Sequence, residues 1–172
     1  MVDGHIRLAT VDDVPELVEL IQALADHMES GDEVDVTADD LTTIMFGSPN
    51  TPTGSPTVWC TVVEHDGPDG QRLGGMALWY LNFSTWRGTH GIFLEDLYVR
   101  EQVRGHRYGV RLLASLAAEC VERGYARLMW EVDNANTGAV AFYDSLNAHP
   151  KSEWTTYLLS GDELREVAKR AD

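Results

Sequence analysis

Four of the thirteen basic residues of this chain lie within twelve consecutive positions, interspersed with glycine and histidine. The segment contains Arg100, Arg104, Gly105, His106, Arg107, Gly109 and Arg111. The N–H groups at a helix start lack intrahelical partners and carry positive partial charge, glycine lets an anion approach the backbone, and arginine donates paired hydrogen bonds. Because a strand pattern precedes the segment and a helical pattern follows it, we predict a phosphate-binding loop. An arginine-rich surface turn is the alternative.

Two adjacent carboxylates, Glu95 and Asp96, interrupt the apolar run from Ile92 to Val99. A charged pair is costly in a central strand, which favours a functional role. Because side chains alternate along a strand, we predict that Glu95 and Asp96 lie on opposite faces. Both could instead be ordinary exposed acids.

The composition limits the class of protein. With 172 residues, of which 44% are hydrophobic and 24% charged, the chain is typical of one globular domain, residues 1–172. Its 13 basic and 28 acidic residues give a net charge of -15, which repels nucleic-acid phosphates and anionic lipids and attracts cations. We therefore expect no nucleic-acid or membrane partner, although solubility alone would also explain the charge.

Cysteine usage and the amino terminus predict a cytoplasmic protein. Cys60 and Cys120 are sixty positions apart, which suggests neither a disulfide framework nor a zinc site. The first ten residues lack a basic start followed by an apolar stretch, and no run approaches the roughly 18 apolar residues of a membrane helix. The histidines show no metal-ligand spacing, so we expect no metal.

Hydrophobic spacing and turn residues predict the elements that position these side chains. Thr10 with Asp13 and Thr37 with Asp40 match a helix-capping pair, and Gly124 is placed to end a helix. Predicted helices follow Thr10 and Thr37, and others cover Val110 to Cys120, Thr137 to Leu146 and Asp162 to Lys169. Predicted strands are Ile6 to Leu8, Val58 to Glu64, Leu73 to Phe83, Ile92 to Val99, Arg127 to Val132 and Trp154 to Leu159. We predict loops at residues 47–57, 66–70 and 87–91. The mixture of hairpins and crossover helices favours an α/β sandwich around one mixed sheet.

Three ordered motifs resemble those of the GNAT superfamily of acyl-CoA N-acyltransferases, and the resemblance covers nearly the whole chain. They are Phe93-Leu94-Glu95-Asp96-Leu97-Tyr98-Val99, Arg104-Gly105-His106-Arg107-Tyr108-Gly109 and Asn136-Thr137-Gly138-Ala139-Val140-Ala141-Phe142-Tyr143. The chain is most similar to the diamine acetyltransferases of the spermidine/spermine and thialysine type, through Ile6-Arg7, Ala9-Thr10, Asp13, Trp86, Leu94-Glu95-Asp96 and Trp154. The resemblance implies a mixed, mostly antiparallel sheet with helices on both faces, and a homodimer.

The same resemblance implies direct transfer of an acetyl group from acetyl-CoA to a primary amine of a small cationic acceptor. An alkylamine with a pKa of about 10.4 is protonated at neutral pH, so its acylation requires a base. Glu95 would be this base, because the resemblance places its strand where cofactor and acceptor meet. Tyr143 would protonate the leaving thiolate. Backbone N–H groups of a splayed strand near Leu97 to Val99 would face the cofactor. The implied cofactor-binding residues are Leu97, Tyr98, Val99, Arg104, Gly105, His106, Arg107, Tyr108, Gly109, Val110, Asn136, Ala139 and Tyr143.

One position departs from the family's phosphate-loop pattern, R/Q-x-x-G-x-G/A. Arg104 and Gly109 match this pattern, but Arg107 stands in place of the middle glycine. If the position requires a positive φ or close approach to the pyrophosphate, arginine strains the backbone by roughly 1 to 3 kcal/mol. A guanidinium could compensate by pairing with a phosphate directly.

The acceptor pocket is expected to contain His27, Trp86, Glu95, Asp96, Glu131 and Trp154. The two tryptophans could hold an alkylammonium by cation–π contact, or each could be a packing residue. Polyamine enzymes of this type carry acids where this chain has Met28, Ser84 and Ser152, and this difference weakens the assignment to a polyamine. The expected acceptors are a diamine, a polyamine or a lysine-like amino acid. A non-catalytic acyl-CoA-binding regulatory module and a protein or peptide N-acetyltransferase stay open as other functions.

Overall fold

The computed structural model describes residues 4–47, 54–67 and 70–171, so parts of the predicted loops at residues 47–57 and 66–70 lie outside the described residues. The chain forms two compact units, Met1–Glu131 and Val132–Asp172. The first unit contains β1 (Ile6–Leu8), α1 (Val14–His27), α2 (Ala38–Phe46), β2 (Val58–Glu64), β3 (Leu73–Ser84), β4 (Thr89–Val99), α3 (Tyr108–Arg123) and β5 (Leu128–Trp130). The second contains α4 (Thr137–Asp144) and α5 (Gly161–Ala168). Within the described ranges, no helix is long and apolar enough to cross a bilayer.

Both predicted capping pairs form. Thr10 and Asp13 bond reciprocally around a short 3-10 turn that leads into α1, and Thr37 and Asp40 do the same at the start of α2. Burial opposes the charge of Asp13, but hydrogen bonds from Arg7 and Thr10 outweigh this effect and lower the pKa of Asp13 to about 2. The Arg7–Asp13 pair therefore connects β1 to the start of α1.

The five strands lie in chain order, β1-β2-β3-β4-β5. Strands β1 to β4 are antiparallel to their neighbours, whereas β5 is parallel to β4. The structure thus confirms an α/β fold around a mixed, mostly antiparallel sheet. Strands β3 and β4 extend beyond their predicted limits, to Ser84 and from Thr89, because the turn between them occupies residues 85–88 instead of 87–91.

Helices cover both faces of the sheet, as predicted. On one face, Cys60 and Leu78 pack in a core cluster with side chains of α1 such as Leu17; we call this the α1 face. Trp79, which follows Leu78 on the alternating strand, lies on the opposite face, where it lines a cavity with Leu116 of α3. We call this second face the α3 face.

Helix α3 begins at Tyr108, two residues before its predicted start, and Gly124 caps it in the left-handed conformation (φ 67), as predicted. Strand β5 is only three residues long, shorter than the predicted Arg127 to Val132. Cys60 and Cys120 are both free and buried, and burial raises the pKa of the Cys60 thiol.

In the second unit, the predicted strand Trp154 to Leu159 is wrong. Residues 154–159 pair with no strand among the described residues, and Tyr157 is 93% exposed. An apolar pattern is compatible with a strand, but a strand forms only where a neighbour takes up its backbone hydrogen bonds. Helix α4 ends at Asp144, two residues before the predicted end, and α5 begins at Gly161 instead of Asp162.

Candidate active site

Strand β4 contains a bulge at Glu95. Leu94 and Asp96 pair with the consecutive residues Trp79 and Leu78 of β3, so Glu95 is the extra residue. Because Trp79 lies on the α3 face and Leu78 on the α1 face, Leu94 and Asp96 take these same two faces. The prediction that Glu95 and Asp96 lie on opposite faces assumed an unbroken alternation of side chains, and the bulge interrupts this alternation at Glu95.

Strand β4 has an open edge beyond the bulge. Its pairing with β5 ends at Leu94, so the following residues pair with β3 alone within the described sheet. The N–H of Arg100 donates to the carbonyl oxygen of Gly74 at 3.0 Å, towards β3. Because backbone groups alternate along a strand, the N–H groups of Val99 and Leu97 point to the other edge, where β5 no longer follows. The strand therefore has the splay that the resemblance implies.

Acidic side chains cluster where β4 and β5 separate. Burial and the neighbouring charge of Glu95 raise the pKa of Asp96 to about 6. Burial, together with the charges of Glu95 and Glu131, also raises the pKa of Tyr80, whose ring stacks on Phe93 with 5.1 Å between centroids. Negative charge beside an aromatic ring suits a cationic ligand. Sequence reasoning missed Tyr80, because its position opposite Phe93 becomes evident only from the strand register.

The connection from β4 to α3 has an unusual backbone. After a 3-10 turn at Glu101–Val103, both Gly105 (φ 90) and Arg107 (φ 61, ψ 21) have positive φ. The position where the family pattern has glycine is thus left-handed here, and a side chain at such a position costs on the order of 1 to 3 kcal/mol. Arg107 directly precedes Tyr108, so this loop leads into the first turn of α3, where backbone N–H groups have no partner within the helix.

The four arginines of this segment have different surroundings. Three bond within the chain: Arg100 to Glu16 (3.1 Å) and the Leu73 carbonyl (2.9 Å), Arg104 to Glu101 (3.3 Å) and the Val99 carbonyl (3.2 Å), and Arg111 to the Gly4 carbonyl (2.6 Å). Arg100 is only 13% exposed and joins the end of β4 to α1. In contrast, the side chain of Arg107 is exposed and has no hydrogen bond or ion pair with any described residue, although its backbone carbonyl accepts from the Arg111 N–H at 3.0 Å. Arg107 is therefore available to an external anion, and Arg100 has a structural role.

The predicted acceptor residues of the first unit do not all lie together. Glu95, Asp96 and Glu131 lie near one another, as their effects on neighbouring pKa values indicate. His27 lies at the end of α1, 3.7 Å from a carboxylate oxygen of Glu101. Trp86 is 88% exposed in the turn between β3 and β4, about 20 Å along the strand from Glu95 at roughly 3.3 Å per residue. The structure therefore does not place Trp86 beside the carboxylates.

The second unit contains the other predicted site residues. Asn136 caps α4 by accepting a hydrogen bond from the Ala139 N–H at 3.0 Å. Tyr143 is half-buried, and this burial raises its pKa, which keeps the phenol protonated at neutral pH. Trp154 is 65% exposed. Across both units, the described residues include no group of three or more histidines, cysteines or acids arranged to hold a metal ion.

This chain is similar to known proteins in sequence and in fold. The acetyltransferase (GNAT) family model matches residues 50–147. Thialysine N-epsilon-acetyltransferase of Bos taurus is 29% identical over 170 residues, which cover 95% of this chain and 96% of the relative. L-ornithine N5-acetyltransferase of Arabidopsis thaliana is 31% identical over 97 residues, which cover 56% of this chain and 42% of the relative. The solved structure of an integron cassette protein from the mobile metagenome of V. cholerae has a TM-score of 0.76 at 21% identity and covers 98% of this chain and 99% of its own; this likeness shows the fold alone.

The fold and the family match define the class of this protein as an α/β acetyltransferase. The family model covers more than half of the chain, and the relatives that align over nearly its whole length are N-acetyltransferases. The chain belongs to the GNAT acetyltransferase family, which confirms the resemblance seen in the three motifs.

Proposed function

We propose that this protein transfers the acetyl group of acetyl-CoA to a primary amine of a small cationic acceptor, directly in a ternary complex. The observation that carries the proposal is the bulge of β4, which brings the carboxylates Glu95 and Asp96 to the point where the pairing with β5 has ended. An anionic subsite for an ammonium group thus adjoins N–H groups that can stabilise a developing negative charge.

The loop between β4 and α3 fits the anionic part of acetyl-CoA. A Cβ atom at Gly105 would meet nothing within 4 Å, so the backbone is open to an approaching group there. The start of α3 supplies N–H groups and Arg107 supplies a cation. We assign the phosphates to residues 104–110 and the rest of the molecule to Leu97 through Val99, together with Asn136, Ala139 and Tyr143 as the resemblance implies.

In the proposed chemistry the acceptor nitrogen loses two protons, one before and one after it bonds to the acyl carbon, and the sulfur of coenzyme A gains one. Acetyl-CoA, when bound, supplies the acyl group as an activated thioester. Glu95, directly or through a water, takes the proton that the acceptor ammonium must lose before its nitrogen bonds to the acyl carbon. The N–H groups of Leu97 and Val99 stabilise charge on the acyl oxygen. Tyr143 donates its phenolic proton to the sulfur as the carbon–sulfur bond breaks, and the second proton released by the nitrogen restores the phenol through solvent.

The acidic cluster also supports the choice of acceptor. Asp96 and Glu131 add negative charge beyond the base, which favours an acceptor with a second positive charge, such as a diamine, a polyamine or a lysine-like amino acid. Two relatives are named for basic amino acids, thialysine and ornithine. His27 and Trp154 remain proposed acceptor contacts from the resemblance, whereas the distance of Trp86 from Glu95 argues against a shared contact with one small substrate.

Thiol release from acetyl-CoA, measured with a panel of amines, tests this proposal. We expect faster release with diamines and lysine-like amino acids than with neutral amines, aminoglycosides or peptides with a free amino terminus. Calorimetry of acetyl-CoA binding accompanies the assay. Binding without amine-dependent thiol release would overturn the proposal in favour of an acyl-CoA-binding module, and preference for peptides would favour a protein N-acetyltransferase.

We also propose that the two units form one catalytic domain and that the chain is a cytoplasmic homodimer. The family match crosses the boundary between the units.

Both cysteines are free and buried, which suits a reducing compartment. Tyr157 and Leu158 are exposed apolar side chains that a second chain would cover. Sedimentation at several protein concentrations tests the dimer.

A further inference from the structure

We propose that Arg107 and His106 form a subsite for the 3′-phosphate of coenzyme A, so that this protein distinguishes coenzyme A from dephospho-coenzyme A. The inference rests on the proposed function, since it assumes that the loop between β4 and α3 binds this molecule. It concerns the one position of the loop that departs from the family pattern, together with its neighbour.

The first argument is the state of the Arg107 side chain. Its backbone is in the left-handed region, a conformation that glycine adopts without strain and other residues adopt at a cost. The guanidinium is exposed and bonds to none of the described residues, whereas Arg100, Arg104 and Arg111 all have partners within the chain. Nothing within the described fold therefore compensates for the side chain at this position, and an external anion would.

The second argument is the fixed orientation of His106. Its Nδ1 lies 3.0 Å from the Val103 carbonyl oxygen and must donate to it, so Nε2 is the ring nitrogen for another partner, and as an imidazolium the ring donates from Nε2–H to a phosphate oxygen. The ring stacks on Tyr108, with 5.6 Å between centroids and 29° between planes. Tyr108 is itself buried and lies 3.2 Å from His65 through its hydroxyl. The stack and the hydrogen bond orient the imidazole, and His106 directly precedes Arg107 in the chain.

The chemistry of the ligand decides which phosphate these side chains meet. Coenzyme A carries a pyrophosphate diester and one phosphate monoester at the 3′ position. Backbone N–H groups at a helix start suit the pyrophosphate. The Cβ atom of Arg107 keeps the pyrophosphate further from the backbone at that residue than a glycine would. A monoester carries about 1.5 to 2 negative charges at pH 7 and accepts paired hydrogen bonds from a guanidinium. The side chains therefore match the monoester, and the main chain matches the pyrophosphate.

Calorimetric titration with coenzyme A and with dephospho-coenzyme A tests the inference. For the parent protein we expect coenzyme A to bind at least tenfold more tightly. Arg107→Ala should weaken coenzyme A binding about tenfold and leave dephospho-coenzyme A binding within twofold, and His106→Gln should reduce the preference by a smaller factor. Arg107→Gly should lose the preference and bind dephospho-coenzyme A as well as or better than the parent. Arg87→Ala, in the exposed turn before β4, is the matched control and should change neither affinity.

The outcomes separate this inference from the function on which it rests. Failure of the parent to bind either ligand would overturn the proposed function. Binding of both ligands with equal affinity would overturn the 3′-phosphate subsite alone. Equal weakening of both ligands by Arg107→Ala would also overturn it, because the guanidinium would then contact the pyrophosphate.

Discussion

The two halves of strand β4 have the same neighbour on one side and differ on the other. From Thr89 to Leu94 the strand pairs with β3, and Ile92, Phe93 and Leu94 also pair with β5. Ile92 and Leu94 in this half are buried and apolar. From Glu95 to Val99 the strand pairs with β3 alone in the described sheet and carries the two carboxylates. The comparison shows a division within one strand: apolar side chains are buried where both edges are occupied, and two adjacent carboxylates begin the half with one open edge.

The largest expected effect is the loss of the proposed base or acid. Glu95→Gln should lower kcat/KM by about 10²- to 10⁴-fold, the usual range for general acid–base catalysis. The loss should be greatest at low pH, where the amine is hardest to deprotonate, and should shrink at high pH. A pH profile of kcat/KM checks this, with Glu122→Gln on the exposed surface of α3 as the control. A parental profile for Glu95→Gln would make Glu95 an ordinary exposed acid.

Tyr143→Phe extends the test to the second unit. Because burial raises the pKa of the phenol, its proton is available at neutral pH, and its removal should lower kcat by about 10²- to 10⁴-fold. Thermal unfolding should change little, since the ring is retained. Single-turnover kinetics distinguish the acid from a packing residue: full turnover, with chemistry shown to be rate-limiting, would assign Tyr143 to packing.

A substitution in the half of β4 that pairs with β5 should lower stability and leave activity nearly unchanged. Ile92 is fully buried, and Ile92→Ala should lower the free energy of unfolding by about 2 to 5 kcal/mol through lost burial and a cavity. The fraction that stays folded should keep kcat/KM within a few-fold of the parent. Urea unfolding and active-site titration of the same preparation measure both quantities. A fall in kcat/KM as large as that of Glu95→Gln would remove the distinction between the two halves.

A smaller effect is expected for Asp96, and its sign is informative. The folded-state pKa of about 6 lies above the ordinary value of 3.8, so the folded state binds the proton more tightly than the unfolded state. Ionised Asp96 therefore destabilises the fold at pH 7, and this penalty disappears as the pH falls from about 6 to about 4. Asp96→Asn should raise the free energy of unfolding by about 1 to 3 kcal/mol at pH 7 and by little at pH 4.

The same variant should lose activity while gaining stability. We expect kcat/KM for a diamine to fall about tenfold, because the second carboxylate of the acceptor subsite is gone. Asp66→Asn, in an exposed turn, should change neither stability nor kinetics. An Asp96→Asn variant that is destabilised at pH 7 would show that the carboxylate has a structural partner.

Local signals in the sequence were sufficient for three helix ends: the starts of α1 and α2 and the end of α3. The capping pairs at Thr10 and Thr37 and the cap at Gly124 were predicted correctly, because each depends on residues within one helical turn. The left-handed backbone at Arg107 was anticipated only through the family pattern, since arginine itself gives no signal for positive φ.

Features that depend on distant pairing could not be predicted. The bulge at Glu95 arises from the register between β3 and β4, which no local pattern specifies. Arg100 was grouped with the phosphate loop because its partner Glu16, 84 residues away in the chain, is evident only in the folded molecule. The strand predicted at residues 154–159 is absent for the same reason: the pattern does not reveal whether a pairing partner exists.

The most direct test of the central claim is a competition between two acceptors for one enzyme. Acetyl-CoA would be mixed with equal concentrations of a diamine and of the amino alcohol of equal chain length, and the acetylated products would be quantified by mass spectrometry at low salt. The two acceptors differ only in the second charge, which the carboxylates of the open half of β4 should recognise. We predict at least tenfold more acetyl-diamine, and a smaller ratio with Asp96→Asn. Equal products, or an excess of the acetylated amino alcohol, would contradict the account.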